Sequence, residues 1–285
     1  MKFILYNPLS GNGESQKMAE GFAEKNEDCR LIDITKISDF SEFAGELSEN
    51  DQVYLFGGDG TINRFINAMG EDAPVFDIFY FPSGTGNDFC IDIGKEKTDQ
   101  PFLMNGYIKN LPKVCVNEKE YKFINGVGFG IDGYCCEVGD AVKADGKTPN
   151  YTAIAIKGLL FGFKPRNATV TVDGVNKEYK KVWIAPTMFG KHYGGGMMPT
   201  PDQDRSSDKV SLMLFHGSGK LKTLCIFPSI FKGKHVLKTK YVTVLEGKDI
   251  TVRFDRPTPL QIDGETIPRV TEYTVNAKIK EKTTV

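Results

Sequence analysis

The stretch Val53-Tyr-Leu-Phe-Gly-Gly-Asp-Gly-Thr-Ile62 decides what kind of fold this chain adopts. It begins as a short apolar run typical of a buried strand, turns through three glycines, and continues into a helical pattern over residues 63–69. Glycines allow the backbone to approach a ligand closely, and the N-terminus of the following helix favours a phosphate group. Asp59 would repel phosphate unless a cation lay between them, so the pattern predicts a Mg²⁺ ligand. An ordinary strand–turn–helix junction with a turn-forming Asp59 is the alternative interpretation.

Strands and helices alternate through the first part of the chain. Short apolar runs at residues 3–6, 30–34, 53–56 and 77–81 predict strands, and helical patterns lie between several of them. Such an alternation predicts a parallel sheet, in which ligands bind beyond the carboxyl ends of the strands. We therefore expect the loops that follow these strands to form the functional edge of the sheet.

Three of those loops are polar and carry glycines. They are Asn7-Pro-Leu-Ser-Gly-Asn-Gly13, Gly57-Gly-Asp-Gly-Thr61 and Pro82-Ser-Gly-Thr-Gly-Asn-Asp-Phe89. Their hydroxyl, amide and carboxylate groups suit phosphate, ribose or a metal ion. Gln16 stands where a dinucleotide fingerprint needs its third glycine, and no Gly-Lys-Ser/Thr follows, so the loops match neither that fingerprint nor a P-loop. Capped strand-to-helix turns are the alternative.

The sequence pattern changes near Lys113, where we place a domain boundary. Helical patterns cover residues 132–142 and 151–163, and short strand patterns dominate after them. We expect those strands at residues 168–173, 179–186, 209–216, 241–245, 249–255, 260–263 and 271–276. Many short strands with turn residues between them predict an antiparallel β-sandwich.

Composition argues against several function classes. The 285 residues carry a net charge of −1, so the chain lacks an overall basic field and we expect no nucleic acid partner. The six cysteines lack the CxxC or Cys/His spacing of a metal site. The sequence opens without a signal-peptide pattern, and no apolar run reaches the roughly 18–20 residues of a spanning helix. We therefore expect a cytoplasmic protein with reduced thiols.

Three later motifs join the glycine loops: Gly126-Val-Gly-Phe-Gly-Ile-Asp132, Tyr193-Gly-Gly-Gly-Met197 and Ile262-Asp-Gly-Glu265. With all of them in this order, the sequence resembles the diacylglycerol kinase catalytic-domain family, which includes soluble bacterial lipid kinases and sphingosine kinases. Gly-Gly-Asp-Gly alone would be less specific, since NAD kinases and phosphofructokinases share it.

The resemblance implies a two-domain architecture. An α/β N-terminal nucleotide-binding domain (NAD kinase/diacylglycerol kinase-like) would cover residues 1–113. An antiparallel β-sandwich domain, which would take the lipid or other substrate, would cover residues 114–269. The tail, about residues 270–285, is allowed to return to the first domain, and the lysines at 278–282 are expected to be solvated.

The resemblance also assigns roles to individual residues. The residues implied for ATP binding are Asn7, Pro8, Ser10, Gly11, Thr35, Gly57, Gly58, Asp59, Gly60, Thr61, Gly84, Thr85 and Asn87. Glu265 matches the family's proposed general base, which takes the proton of the lipid hydroxyl, and Asp59 shares the catalytic role. The implied ligands of a catalytic Mg²⁺ are Asp59, Asp88 and Asp132. A carboxylate in a hairpin turn is otherwise ordinary turn chemistry.

A second acidic stretch, Asp202-Gln-Asp-Arg-Ser-Ser-Asp208, resembles the family's structural Mg²⁺ loop. Asp208 would bind the ion directly, and the carbonyl groups of Arg205 and Val210 would complete its shell. The family usually has Asp-Gly at this point, whereas Lys209 follows Asp208 here. A cation beside the site and a lost glycine both weigh against a metal.

These features favour an ATP- and Mg²⁺-dependent lipid kinase that phosphorylates a hydroxyl group of a diacylglycerol-like or sphingoid lipid, with a role in phospholipid biosynthesis. It would act peripherally at the inner membrane face. Residues 154–163 and the lysine-flanked residues 221–231 are candidate lipid-facing surfaces, with core packing as the alternative. An exposed sheet edge leaves a homodimer open.

Two other functions stay open. One is a small-molecule kinase such as an NAD kinase, which shares the glycine motif and the two-domain plan. The other is a non-catalytic nucleotide-binding protein of the same fold. Two departures from the family pattern, Cys90-Ile91 and Lys209, motivate the second. Many relatives have Ala-Arg at residues 90–91, so a basic residue that could meet phosphate is missing there.

Overall fold

The computed structural model describes residues 1–70, 74–95 and 100–277. The chain divides into two compact units, with the division between Leu111 and Pro112. The strands of the first unit are β1 Lys2–Tyr6, β2 Cys29–Asp33, β3 Gln52–Gly57, β4 Asp77–Pro82 and β5 Phe102–Leu103. Its helices are α1 Glu14–Ala23, α2 Phe40–Gly45, α3 Asp59–Ala68, α4 Asp88–Asp92 and α5 Asn105–Ile108, with 3-10 turns at Ser10–Gly13 and Ile34–Lys36.

The first unit is built on one sheet with the strand order β2-β1-β3-β4-β5. Strands β1 to β4 are parallel, and β5 is antiparallel to β4. Residues 53–57 of β3 are buried, as expected of a central strand covered on both faces. Because Tyr6 pairs with Phe56 and Gly57 pairs with Pro82, the loops after β1, β3 and β4 begin side by side. The three glycine loops therefore lie at one end of the sheet, as predicted, and the function of that end stays a prediction.

The second unit contains a ten-stranded antiparallel sheet. Its strands are β6 Lys113–Val116, β7 Lys119–Lys122, β8 Gly126–Gly130, β9 Arg166–Val172, β10 Val175–Val182, β11 Ile184–Met188, β12 Val210–Phe215, β13 Val242–Gly247, β14 Asp249–Ile262 and β15 Glu265–Asn276. Its helices are α6 Ile131–Ala144, α7 Tyr151–Lys157 and α8 Lys220–Ile226. A π-helical turn, Gly158–Gly162, follows α7, and 3-10 helices Phe227–Lys232 and Lys234–Leu237 follow α8.

Strand β14 is the centre of the second unit because three strands pair with it. Residues 250–254 pair with β9 and residues 260–262 pair with β8, whereas β15 pairs with both ends of the strand, at residues 249–253 and 258–262, with register shifts between them. Around this strand Phe129, Phe254 and Tyr273 form a buried aromatic cluster, with ring centroids 4.6 and 5.2 Å apart. This antiparallel architecture, together with the parallel sheet of the first unit, confirms the predicted fold class.

Several strand predictions in the second unit were wrong in detail. The single strand expected at residues 179–186 is two strands, because Lys181 adopts a left-handed φ of 55° and the pairing changes there. The strands expected at 249–255 and 260–263 form one continuous strand, although prolines interrupt the pattern. Strand β8 was not predicted because its glycines disfavour strands. Glycine is required at residue 128, since a Cβ there would lie 2.5 Å from the Cα of Pro186.

The end of the described chain belongs to the second unit. Residues 270–276, which the sequence allowed to return to the first domain, lie in β15 and pair with β14 and β6. The predicted solvated lysines at 278–282 lie outside the described residues. Among the residues that the structure describes, no helix is long and apolar enough to cross a membrane.

Candidate active site

Hydrogen bonds tie the loop after β1 to the loop after β3. The Asn7 Nδ2 group donates to Thr61 Oγ1 at 3.2 Å, and Ser10 Oγ lies 3.3 Å from the same oxygen. Ser10 Oγ also accepts the N–H group of Gly58 at 3.3 Å. Asn7 Oδ1 accepts from Leu9 N–H at 3.0 Å, which closes the turn around Pro8. Four of the predicted nucleotide-binding residues are therefore in mutual contact through their polar groups.

Glycines bring the backbones of all three loops together. A Cβ on Gly84 would lie 2.4 Å from the Cα of Gly58, so neither residue leaves room for a side chain. A Cβ on Gly11 would lie 2.2 Å from the carbonyl oxygen of Ser83, and Gly11 also has a left-handed φ of 59°. The loop after β4 thus packs directly against the other two. A ligand at this edge meets mostly backbone N–H groups and short polar side chains.

Asp59 connects the loop after β3 to α4. One carboxylate oxygen accepts the N–H of Asp88 at 2.9 Å, and the other accepts the N–H of Phe89 at 3.1 Å. Burial, and next the charge of Asp59, raise the pKa of the Cys90 thiol to about 12, so Cys90 stays protonated and inert. The side chain of Asp88 is itself buried. Asp59 and Asp88, two of the predicted metal ligands, are therefore neighbours at this end of the sheet.

The loop after β4 carries two polar atoms whose hydrogen-bonding capacity is unmet. Within the described residues, Ser83 Oγ and Asn87 Oδ1 are buried and have no hydrogen-bond partner. The Asn87 amide nitrogen donates to the carbonyl of Gly84 at 3.0 Å, which fixes the side chain. Buried polar atoms in folded proteins are nearly always paired, so these atoms fit a site that is completed by a polar ligand. Thr85, beside them, is exposed.

Thr35 is placed differently from the other predicted nucleotide-binding residues. It follows β2, the edge strand of the sheet. Its hydroxyl and N–H groups both donate to Asp33 Oδ1, at 2.7 and 3.0 Å. Thr35 therefore stabilises its own turn, and its role toward a nucleotide stays a prediction.

A magnesium ion fits the donor set of the first unit. Asp59 and Asp88 supply carboxylate oxygens and Asn87 supplies an amide oxygen, which are the hard donors that Mg²⁺ prefers. Magnesium is commonly held by one or two carboxylates together with phosphate oxygens and water. Across the described residues there is no group of three or more His, Cys, Asp or Glu side chains that could hold a metal by itself. The fit therefore depends on a bound phosphate.

Asp132, the third predicted ligand, is buried in the second unit at the start of α6. Its Oδ1 accepts the N–H of Gly133 at 2.9 Å, and the Tyr193 hydroxyl lies 3.5 Å from its Oδ2. Burial raises the pKa of Asp132 to about 7, and hydrogen bonds from Gly133, Gln261 and Tyr193 oppose that rise. The part that Asp132 plays with the other two carboxylates stays a prediction.

Glu265 begins β15 directly after a hairpin turn whose first residue, Asp263, anchors a distant segment. The Asp263 carboxylate accepts the N–H groups of Ile124, Asn125 and Gly126 at 2.7, 2.8 and 2.9 Å. The sequence analysis did not predict this anchor. Glu265 itself is partly buried two residues after this anchor, and its role as the general base stays a prediction.

The loop predicted to bind a structural metal is held by protein groups instead. The ammonium group of Lys248 lies 2.6 Å from the Asp208 carboxylate. The Gln203 amide nitrogen donates to the carbonyls of Asp204 and Lys209, both at 3.1 Å. These residues do not fit a divalent cation, since the carboxylate is already paired with a positive charge. The Arg205 guanidinium binds Asn125 Oδ1 at 2.8 Å and the carbonyl of Ile124, and Val210 is buried at the start of β12.

Comparisons with known proteins agree with this division of the chain. Residues 2–113 match the family model of the diacylglycerol kinase catalytic domain, and residues 125–278 match the YegS C-terminal NAD kinase beta sandwich-like domain. A diacylglycerol kinase of Mycobacterium tuberculosis is 26% identical over 250 residues, covering 81% of this chain and 78% of the relative. A diacylglycerol kinase of Bacillus subtilis is 24% identical over 277 residues, covering 92% and 88%.

Solved structures share the fold. The crystal structure of a diacylglycerol kinase from Bacillus anthracis has a TM-score of 0.61 and 16% sequence identity, and the similarity covers 100% of this chain and 98% of that one. The structural similarity shows the common fold, whereas sequence identity this low does not identify the substrate.

Proposed function

Since the chain belongs to the diacylglycerol kinase catalytic-domain family, we propose that it transfers the γ-phosphoryl group of ATP to a hydroxyl group of a diacylglycerol-like or sphingoid lipid. The observation that carries the proposal is the packing of three glycine loops at one sheet edge, where buried Asn87 Oδ1 has no partner. Such an edge can bind phosphate groups through backbone N–H groups with little steric hindrance.

In this proposal, the polar side chains of the first unit bind and orient ATP. Ser10 and Thr61 offer hydroxyl groups beside the N-terminus of α3, whose dipole favours negative charge. Asn87 and Thr85 offer an amide oxygen and an exposed hydroxyl from the loop after β4. Most of the catalytic effect in phosphoryl transfer comes from such positioning and from charge neutralisation.

Asp59 and Asp88 would hold Mg²⁺. When bound, the ion supplies positive charge that neutralises the phosphate oxygens during transfer. Asp59 also receives the N–H groups of Asp88 and Phe89, so its carboxylate is oriented before any ligand arrives. Orienting a metal ligand through its own hydrogen bonds is a common way to prepare a metal site.

Glu265 would act as the general base. The lipid oxygen attacks the γ-phosphorus, its proton moves to the Glu265 carboxylate, and the bond from phosphorus to the bridging oxygen of ADP breaks. The anchored turn that precedes Glu265 supports this role because a base works only when it is held within hydrogen-bond reach of the hydroxyl.

The proposal is tested by transfer of labelled phosphate from ATP to a mixed lipid extract in micelles. Asp59→Ala should lower transfer by about 10³-fold, because a lost metal ligand removes several kcal/mol of charge stabilisation. Asp77→Ala is the matched control, since this exposed Asp begins β4 at the opposite edge of the same sheet. It should leave transfer unchanged.

The alternatives give different results in the same assay. Label in a soluble metabolite with an unlabelled extract would favour a small-molecule kinase and overturn the lipid substrate. Binding of ATP without label in any acceptor would favour a non-catalytic nucleotide-binding protein.

A further inference from the structure

Asparagine followed by glycine is the pair of residues most prone to spontaneous deamidation, and the chain contains three such pairs: Asn12-Gly13, Asn105-Gly106 and Asn125-Gly126. In this reaction the backbone nitrogen of the glycine attacks Cγ of the asparagine, ammonia leaves, and a five-membered succinimide ring forms. Water then opens the ring to aspartate or isoaspartate. Glycine favours the attack because it adds no side chain beside the nucleophile. All three pairs share this local chemistry, so their folded environments decide which one reacts.

The Asn105 side chain is fixed through both polar atoms of its amide group. Its Oδ1 accepts the N–H of Ile78 at 2.7 Å, and its Nδ2 donates to the carbonyl of Phe76 at 2.8 Å. These bonds tie the first residue of α5 to the start of β4. Attack on Cγ requires this amide group to turn, which breaks both bonds. The folded structure therefore protects Asn105.

Asn125 is protected by burial and by the hydrogen bond of the glycine that follows it. The residue is 2% exposed, and its Oδ1 accepts from the Arg205 guanidinium at 2.8 Å. The Gly126 N–H group donates to the Asp263 carboxylate at 2.9 Å. The glycine nitrogen must lose its proton to attack, and a carboxylate beside it opposes that loss. Asn125 should therefore react only after this part of the second unit opens.

Asn12 differs from the other two asparagines. It is exposed, and its side-chain amide has no hydrogen-bond partner among the residues that the structure describes. Asn12 and Gly13 have left-handed φ angles of 55° and 90°, and a Cβ on Gly13 would meet no atom within 4 Å. The free space around Gly13 lets this turn move, so the amide carbon can reach the glycine nitrogen.

The position of Asn12 gives its deamidation a consequence for the glycine loops. Asn12 follows Gly11, whose backbone packs so closely against Ser83 that a Cβ would lie 2.2 Å from the Ser83 carbonyl oxygen. In the same loop, Ser10 Oγ accepts the N–H of Gly58 at 3.3 Å. Deamidation adds a negative charge here, and isoaspartate also lengthens the backbone by one carbon. The charge repels phosphate, and the longer backbone disturbs the packing of the loop.

We propose that Asn12 deamidates spontaneously in the folded protein, that Asn105 and Asn125 stay intact, and that the product binds ATP more weakly. The reaction consumes one water molecule and releases one ammonia molecule, so it needs no other reactant. The modification itself goes beyond the proposed function. Its effect on ATP binding rests on the proposed function.

The modification is tested by peptide mapping of the full chain after incubation at pH 8, in buffer and in guanidinium chloride. Mass spectrometry detects the replacement of the side-chain NH₂ by OH. In denaturant all three asparagines should react at similar rates, because only local sequence acts there. In buffer Asn12 should react within about threefold of its denatured rate, whereas Asn105 and Asn125 should slow by about tenfold or more. Equal protection of all three in buffer, or faster reaction at Asn105 or Asn125 than at Asn12, would overturn the proposal.

The effect on ATP binding is measured by calorimetry with variants, without any lipid. Asn12→Asp carries the charge of the product and should weaken ATP binding by about fivefold or more. Asn50→Asp is the matched control, because this exposed residue adds the same charge before β3, at the opposite end of the sheet. Asn12→Gly suits the left-handed φ and cannot deamidate, so its affinity should stay constant during storage while that of the wild type falls.

The two measurements fail separately. Equal ATP affinity of Asn12→Asp and the wild type would overturn the effect on binding and leave the peptide maps to decide the modification. If freshly purified wild-type protein binds no ATP, the effect on binding falls together with the proposed function, and the peptide maps still decide whether Asn12 reacts.

Discussion

Asp59 and Asp263 each precede a glycine near the end of a buried strand, and each carboxylate accepts backbone N–H groups from a segment distant in sequence. Asp59 accepts two such groups, from Asp88 and Phe89. Asp263 accepts three, from Ile124, Asn125 and Gly126. Each of these aspartates has a second acidic residue near it. For Asp59 it is Asp88, whose N–H group it binds, and for Asp263 it is Glu265, two residues later in the chain.

The turns at Asp59 and Asp263 use hydrogen bonds from backbone N–H groups to a carboxylate for different purposes. Around Asp59 the neighbouring Asn87 Oδ1 is buried without a partner in the described part of the chain, so the edge is left ready for a ligand. Around Asp263 the carboxylate is satisfied by three N–H groups, and Gly264 N–H is bound by Gln261 at 2.8 Å. We infer that the first turn prepares binding and that the second turn provides rigidity for Glu265.

The largest effect is expected from Glu265→Gln, which keeps the size of the side chain and removes its basicity. Turnover of the labelled lipid should fall by about 10²–10⁴-fold, the usual contribution of a general base. The control is Glu246→Gln, an exposed position on β13. If Glu265→Gln keeps its turnover while Asp59→Ala loses it, the second turn has no part in proton transfer and the comparison fails.

A stability measurement distinguishes the anchoring role of Asp263 from the catalytic role proposed for Glu265. Asp263→Ala leaves three N–H groups without their acceptor, and we expect the free energy of unfolding to fall by about 4–5 kcal/mol. The single tryptophan, Trp183, is buried in the second unit and reports its unfolding in urea. Asp202→Ala, at an exposed residue, should leave the same transition in place. A change below about 1 kcal/mol for Asp263→Ala would refute the anchoring role.

Local patterns predicted much of the first unit, and long-range contacts explain what was missed. The loops after β1, β3 and β4 were predicted because apolar runs ending in glycine are local signals. The bonds from Asp59 to Asp88 and Phe89, and from Asp263 to residues 124–126, join segments far apart in sequence. A hairpin Asp looks the same whether or not it anchors another segment. Likewise β8 is a strand because its glycines fit against β11, which local propensity does not register.

A pH series tests whether the buried carboxylate of Asp132 holds a proton in the folded protein. Because burial raises its pKa from 3.8 to about 7, the folded protein keeps a proton that the unfolded chain loses between those values. The stabilisation that comes from this retained proton is fully present below pH 4 and is lost as pH rises through 7. The free energy of unfolding should change by an amount on the order of 4 kcal/mol over that range.

The measurement for Asp132 is the difference in unfolding free energy between wild type and Asp132→Asn from pH 4 to 8. The groups that face Asp132 are Tyr193, Cys135, Cys136 and Tyr273, and burial raises the pKa of each, so they stay neutral in this range. A difference that does not vary with pH would show that Asp132 is ionised throughout. Repeating the series with Mg²⁺ and ATP then tests the metal role, since a nearby cation would flatten the slope.

The smallest effect is expected at the loop of residues 202–210, where Lys248 pairs with Asp208. Because an ammonium group pairs with the carboxylate that the family resemblance gave to a structural metal, EDTA should leave the Trp183 unfolding transition unchanged. Lys248→Ala should shift that transition less than Asp263→Ala does, since the ion pair is exposed and water replaces it readily. Lys180→Ala, at an exposed lysine on β10, is the matched control. A marked loss of stability in EDTA would mean that the loop holds a divalent cation after all, and that Asp208 is a ligand rather than the partner of Lys248.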